Sequence, residues 1–411
     1  MTNSIKYLYG KNYKTLLYVG LALLFLDVII DPSNKIFHSK YVLFLGVFVL
    51  WFPLHYKKTV YLSKQILFAV AFIGFFMPFY ALSVGLIKNF AGNSTLAELV
   101  YLNSFFFFFL LVVIVTENIQ LRPVLNVSAI LLVAMTAFSY FLPLINPGLF
   151  AKLYAFFVME KEVAVYALRN YGGFTLLMVF YKTSPILVFP LAYYLHRLLI
   201  LKIKKNRGAQ IVFILALCTT LFLSGTRANI LSMTFILLFY LLFYAYKNSK
   251  PLALLVAFIY VAGFFYGANL LAEVFLNRSE ISNQVKLGHL FSYIEHFSDH
   301  VGILLFGQGI GSTMYTSGIN SVVSVTELTY FELIRVWGIP VSIIFGLILL
   351  VPIYHEIKSG SISHLFIAYL AYLFIAGTNP LLLSSTGMLI LVYVFSQTYA
   401  TAFQNDAENE A

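Results

Sequence analysis

Apolar runs alternate with short polar gaps along almost the whole chain, at approximately 15–30, 41–54, 66–87, 99–115, 124–145, 174–196, 209–224, 228–246, 251–271, 328–353, 364–377 and 385–403. A straight transmembrane helix needs about 20 apolar residues, so the shorter runs extend into their polar flanks. The pattern predicts an all-α, polytopic transmembrane helical bundle, one integral membrane domain over 1–411, with about twelve spans and both termini in the cytoplasm. Lys6, Lys11 and Lys14 precede the first run with no small-residue cleavage site after it, which predicts a retained span and not a removed signal peptide.

Composition sharpens this. Hydrophobic residues make up 61% of the chain and charged residues 10%, with a mean hydropathy of +0.89. Soluble domains carry about 25% charged residues, so water is not the main solvent of this chain. Its one cysteine, Cys218, lies inside an apolar run, which excludes disulfides and thiolate metal clusters.

The net charge of +10 invites a nucleic-acid reading that its distribution rejects. Lys57, Lys58 and Lys64 fill one gap, Arg197, Lys202, Lys204, Lys205 and Arg207 another, and Lys247 and Lys250 a third. Alternate gaps are poorer in Lys and Arg. That asymmetry orients spans with the basic loops inside, next to an anionic leaflet, and no nucleic acid is expected as a partner. It places 31–40, 88–98, 146–173, 224–227, 272–327 and 378–384 outside.

Two external segments are long, a first loop at 146–173 and a main loop at 272–327. In the second, Leu287, Leu290, Phe291, Ile294, Phe297 and Val301 recur at helical spacing, with His289, Ser292, His296 and Asp299 mostly opposite. This predicts an amphipathic helix on the outer membrane surface, running into a flexible Gly307–Gly311 turn. No internal repeat is visible, which counts against a transporter built from two similar halves.

Ionisable residues in lipid are costly and are therefore candidates for function. Lys182 falls in the sixth run shortly before Pro185, Arg335 in the tenth with Glu332 one turn earlier, and Arg227 at the outer mouth between the seventh and eighth. With Arg169 and Arg278 in the external loops, five cations are expected near the outer leaflet, a set suited to a pyrophosphate headgroup. Each has a plainer alternative. Glu332 and Arg335 at i,i+3 can neutralise one another, Lys182 can snorkel to the interface, and loop arginines can be solvated charges. His289, His296 and His300 lack a cysteine or clear carboxylate partner, so no metal is expected, whereas one of them can serve as a base or sugar contact.

Three stretches resemble the O-antigen polymerase and ligase superfamily of bacterial inner-membrane glycosyltransferases: Leu223-Ser224-Gly225-Thr226-Arg227, the external Phe306-Gly307-Gln308-Gly309-Ile310-Gly311, and Glu327 to Gly338 leading into the tenth span. The resemblance covers nearly the whole chain in layout and its second half in short motifs. It implies a C-type glycosyltransferase-like fold, undecaprenyl diphosphate-linked oligosaccharide as donor and acceptor, transfer at the periplasmic face, and no nucleotide, metal or other cofactor. Membrane lipid and a chain-length regulator protein are the further partners it implies. Its pattern departs at two places. Phe180 and His289 stand eleven residues after Arg169 and Arg278, where some polymerase loops carry Gly, and Glu327 stands where ligases typically show His.

On this reading Glu327, at the boundary of loop and span, is the first choice for the base that activates the acceptor hydroxyl, with His289 and Glu332 as its substitutes. Arg227, Arg169, Arg278, Arg335, Lys182 and Tyr171 are the candidate substrate-binding residues. The expected activity is polymerisation of repeat units. The alternatives are a ligase that transfers finished glycan, or a lipid-linked oligosaccharide flippase or other secondary transporter.

Overall fold

The computed structural model describes residues 3–55, 59, 62–88, 102–171, 174–262, 281–360 and 362–409. The chain is mostly helical, and among the described residues five helices are long and apolar enough to cross a membrane: Asn12–Ile30, Lys64–Ile87, Arg122–Ile145, Arg227–Asn248 and Thr329–Lys358. Shorter apolar helices lie at Lys40–Pro53, Leu102–Glu117, Ser184–Ile200, Arg207–Leu223, Lys250–Ala262 and His364–Gly377, and Ser385–Asn409 closes the described chain. In lipid every backbone N–H and C=O must find a partner, which a helix supplies within its own segment, so an apolar run long enough to span becomes a helix.

Two antiparallel hairpins qualify the all-α expectation. β1 (Ala164–Tyr171) pairs with β2 (Phe174–Tyr181) over eight residues each, with Arg169 opposite Leu176. The expected sixth span at 174–196 is therefore corrected: its first eight residues are a strand, and helix starts only at Ser184. Buried hydroxyls fasten this hairpin to the Arg122–Ile145 helix, where Ser139, Tyr166 and Tyr181 form a closed triangle of hydrogen bonds at 2.8–3.0 Å. The second hairpin, β3 (Met314–Thr316) with β4 (Ser321–Val323), lies inside the 272–327 segment.

Loop contacts fall into two sets. In one, Ser33 Oγ donates to Lys161 O (2.8 Å), Lys40 Nζ to Ser385 Oγ (3.3 Å), Lys88 Nζ to Gly307 O (2.6 Å), and Thr329 Oγ1 to Asn379 O (2.7 Å). In the other, Lys202 Nζ donates to Asn248 Oδ1 (3.2 Å), and His355 and Tyr399 both reach Gln65 Oε1 at 3.4 and 3.3 Å. The first set joins segments poor in Lys and Arg, and the second joins the basic gaps and the chain's C-terminal helix.

The 281–299 stretch is one helix, Ile281–Asp299, but its polar stripe faces the protein. His289, Ser292 and Tyr293 are buried, while Phe291 and Ile294 are exposed. The reason is the β3–β4 hairpin beneath it. Thr316 hydrogen-bonds His289 at 2.6 Å, and Ser317 N donates to Ser292 Oγ at 2.9 Å.

The Gly307–Gly311 turn, expected to be flexible, is docked. Gly338 takes φ +75 inside the Thr329–Lys358 helix and breaks it there. The carbonyls freed at Arg335 and Val336 accept from Gln308 N (2.6 Å) and Gly309 N (3.0 Å). A side chain at Gly307 would collide with the Val336 carbonyl, so only glycine brings the turn this close.

Candidate functional site

The site begins at the hinge between the Arg207–Leu223 and Arg227–Asn248 helices. Ser224 Oγ turns back to donate to Leu221 O at 2.6 Å, and Gly225 reverses the chain with φ +62. Asn229, fully buried, donates from its amide to Ser224 Oγ (2.9 Å) and Ser184 Oγ (3.1 Å), fixing the hinge against the following helix. The first hairpin lies across this hinge. A Cβ on Gly225 would strike the Met178 side chain from β2, and Arg169 from β1 donates to the Gly225 carbonyl.

Arg227 opens the next helix, and its guanidinium donates to Asn283 Oδ1 on the Ile281–Asp299 helix. Asn283, Lys286 and His289 follow at three-residue intervals, so they stack along one face of that helix. Lys286 Nζ lies 3.7 Å from Glu327 Oε2, their side chains 35% and 49% exposed, and 3.5 Å from Thr378 O. Burial lowers Lys286 below the ordinary lysine range; Glu327 raises it, and Arg227 and Arg169 press it down again. Burial likewise lowers His289, with Glu327 raising and Lys286 lowering it. The contacts chain Arg169, the Gly225 hinge, Arg227, Asn283, Lys286 and Glu327 together, with His289 one turn beyond Lys286.

The arrangement combines three cations with one partly exposed carboxylate and one imidazole, beside the N-terminus of a 22-residue helix. Guanidinium groups, an ammonium and the helix dipole together suit a phosphate or diphosphate. Glu327 is half-exposed and its contact to Lys286 is long, so its carboxylate can change partners and reach a bound hydroxyl.

The other candidates lie elsewhere. Glu332 and Arg335 form an enclosed ion pair at 2.5 Å, each side chain 2% exposed. Tyr293 Oη donates to Glu332 (2.5 Å), and Arg335 donates to Gln308 Oε1 (3.0 Å), Ser312 Oγ (2.8 Å) and Ser324 O (2.6 Å). Glu332 thus neutralises Arg335, and the pair positions the Gly307–Gly311 turn and the loop leading to β4. Lys182 does not sit in a helical span. It opens the turn after β2, exposed, and the charges acting on it are those of Glu162 and Lys35. Tyr171 closes β1, and Arg278 falls outside the described residues. Among the described residues, no group of three or more His, Cys, Asp or Glu side chains lies together as metal ligands would.

Lys286 is the residue that sequence reasoning missed. The signal was its three-residue offset from His289 along the polar stripe, but a lysine on an amphipathic surface helix is ordinarily a solvated charge. Asn283, on the same stripe, was missed for the same reason. No family model, no curated protein and no solved structure matches this chain.

Proposed function

We propose that this chain is a glycosyltransferase of the bacterial inner membrane that joins undecaprenyl diphosphate-linked oligosaccharide repeat units into a polysaccharide. In this reading about twelve spans cross the bilayer in a C-type glycosyltransferase-like bundle, both termini are cytoplasmic, and the loops at 146–173 and 272–327 are periplasmic. The loop contacts join segments expected outside with one another, and segments expected inside with one another, which supports that topology.

The observation that carries the reading is that Arg169 docks on the Gly225 hinge carbonyl while Arg227, two residues on, and Glu327 both engage the polar face of the Ile281–Asp299 helix, at Asn283 and Lys286. Arg169 and Arg227 hold the donor diphosphate and stabilise the charge it gains on leaving. Glu327 takes the proton from the acceptor sugar hydroxyl as its oxygen bonds to the anomeric carbon. The bond from that carbon to the diphosphate oxygen breaks, and the polyprenyl diphosphate departs with the electron pair. His289, held by Thr316, is placed to support the same face of the site.

Arg227→Ala is expected to abolish chain elongation while the protein still inserts and accumulates, and Arg227→Lys to restore it only in part, because a point charge loses bidentate contact. A sizing gel of surface glycan reads both. Normal chain length in the alanine variant would remove the polymerase site from this hinge. A deletion strain separates the neighbouring activities on the same gel. Loss of a polymerase leaves single repeat units on the core, loss of a ligase leaves long lipid-linked chains, and loss of a flippase leaves no glycan outside.

A further inference from the structure

Among the described residues, the Lys286–Glu327 contact is the loosest ion pair, and it adjoins the arginine-bearing hinge. At 3.7 Å it is at the edge of direct pairing, and both side chains remain open to the surface. The helix of Lys286 also carries Asn283, one turn earlier and the acceptor for Arg227, while Arg169 donates to the carbonyl of Gly225, two residues before Arg227. A carboxylate seated on a lysine one helical turn from the residue that binds Arg227 occupies the position that an anionic ligand of the same site would take.

We infer that Lys286 is a third cationic ligand for the diphosphate bound by Arg169 and Arg227, and that Glu327 holds its place on Lys286 until the diphosphate displaces it. This rests on the proposed function and deepens it. The exchange involves no covalent step: one ion pair, Lys286 with Glu327, is replaced by another, Lys286 with a phosphate oxygen. The released carboxylate keeps its position at the start of the Thr329–Lys358 helix, now without its cation, and is then free to accept a proton from a hydroxyl. Diphosphate binding thereby couples to activation of the base, and a free base does not face solvent when no donor is bound.

The ligand chemistry is a diphosphate, carried either by a lipid or free. The test uses the purified full chain in detergent micelles at low salt, titrated separately with farnesyl diphosphate and with inorganic pyrophosphate. Lys286→Met should weaken farnesyl diphosphate binding about tenfold, the scale of one charge-assisted hydrogen bond, and Lys286→Arg should bind nearly as the parent does. Glu327→Gln should bind about two- to fivefold more tightly, because the competing surface-type ion pair is gone. If pyrophosphate follows the same order, the headgroup alone is recognised; if only farnesyl diphosphate does, the lipid-linked form is. Unchanged binding in Lys286→Met, weaker or equal binding in Glu327→Gln, or no binding of either probe to the parent chain overturns the inference. Thermal unfolding of each variant in the same micelles establishes that a loss of binding is not a loss of fold. The inference and the polymerase reading fail separately. If the binding order holds but Arg227→Ala and Lys286→Met leave glycan length normal in cells, the diphosphate site stands and the polymerase does not. If Arg227→Ala shortens the glycan while Lys286→Met binds and elongates normally, the polymerase stands and the role of Lys286 does not.

Discussion

Two ion pairs about the main loop use the same chemistry for different ends. Arg335 and Glu332 meet at 2.5 Å with almost no exposure, and every direction around the guanidinium is taken by Gln308, Ser312 or Ser324. Lys286 and Glu327 meet at 3.7 Å with a third to a half of each side chain open. The first pair is closed on itself and holds together a turn, a kinked helix and the Ile281–Asp299 helix through Tyr293. The second leaves its charges accessible to something that arrives later. Buried charges that are fully partnered are architecture, whereas partly exposed charges beside unlike and like neighbours can exchange partners. The charge of a residue in an outer loop therefore says less about its role than how completely the fold has already satisfied it.

The largest effect expected from this contrast is at the closed pair. Arg335→Ala leaves Glu332 buried without its cation and should cost about 3–5 kcal/mol, read as lowered thermal stability in detergent and reduced accumulation. Replacing both partners, Arg335→Met with Glu332→Leu, should recover much of that loss, because no uncompensated charge remains. A single substitution costing under about 1 kcal/mol would place this pair in the exchangeable class with the other.

An intermediate effect is expected where the hinge meets the first hairpin. Gly225→Ala imposes a left-handed conformation on a residue with a Cβ and drives that atom into Met178. The expected cost is about 1–3 kcal/mol, with faster hydrogen exchange across β1 and β2 as the hairpin lifts. Because Arg169 binds the Gly225 carbonyl, lifting the hairpin also separates Arg169 from Arg227, which sharpens the distinction between an assembled open site and its parts. Unchanged exchange in the hairpin would mean that the hinge does not hold it.

The smallest effect belongs to the open pair. Lys286→Met and Glu327→Gln should each change stability by no more than about 1 kcal/mol, and a double-mutant cycle should give a coupling of about 0.2–1 kcal/mol. A coupling several-fold larger would show that Lys286 and Glu327 are structural in the way Arg335 and Glu332 are, and the contrast would collapse.

By itself the sequence determined the membrane-embedded, mainly helical character of the chain, because an apolar run in lipid has to satisfy its own backbone locally and needs no distant partner. The helices at 64–87, 122–145, 227–248 and 329–358 lie close to where the apolar runs predict them, and the hinge at 224–227 is visible as four small or polar residues between two such runs. The i,i+3 spacing of Glu332 and Arg335 already raised mutual neutralisation as one of two readings. The tertiary structure alone decided what depended on residues far apart in the chain. Phe174–Tyr181 is apolar enough to begin a span, and a short apolar run has the same pattern as strand or helix; β1 and the Ser139 hydroxyl select the strand. The Gly307–Gly311 turn reads as a flexible loop until Gly338, some thirty residues on, exposes the carbonyls that receive it. Lys286 is a surface lysine by spacing and a member of the site only because Glu327 is folded against it and Arg227 against Asn283 on the same helix, from two other segments. Periodicity is a local property and electrostatic convergence is not, and the difference between the closed and the open ion pair is a difference in convergence.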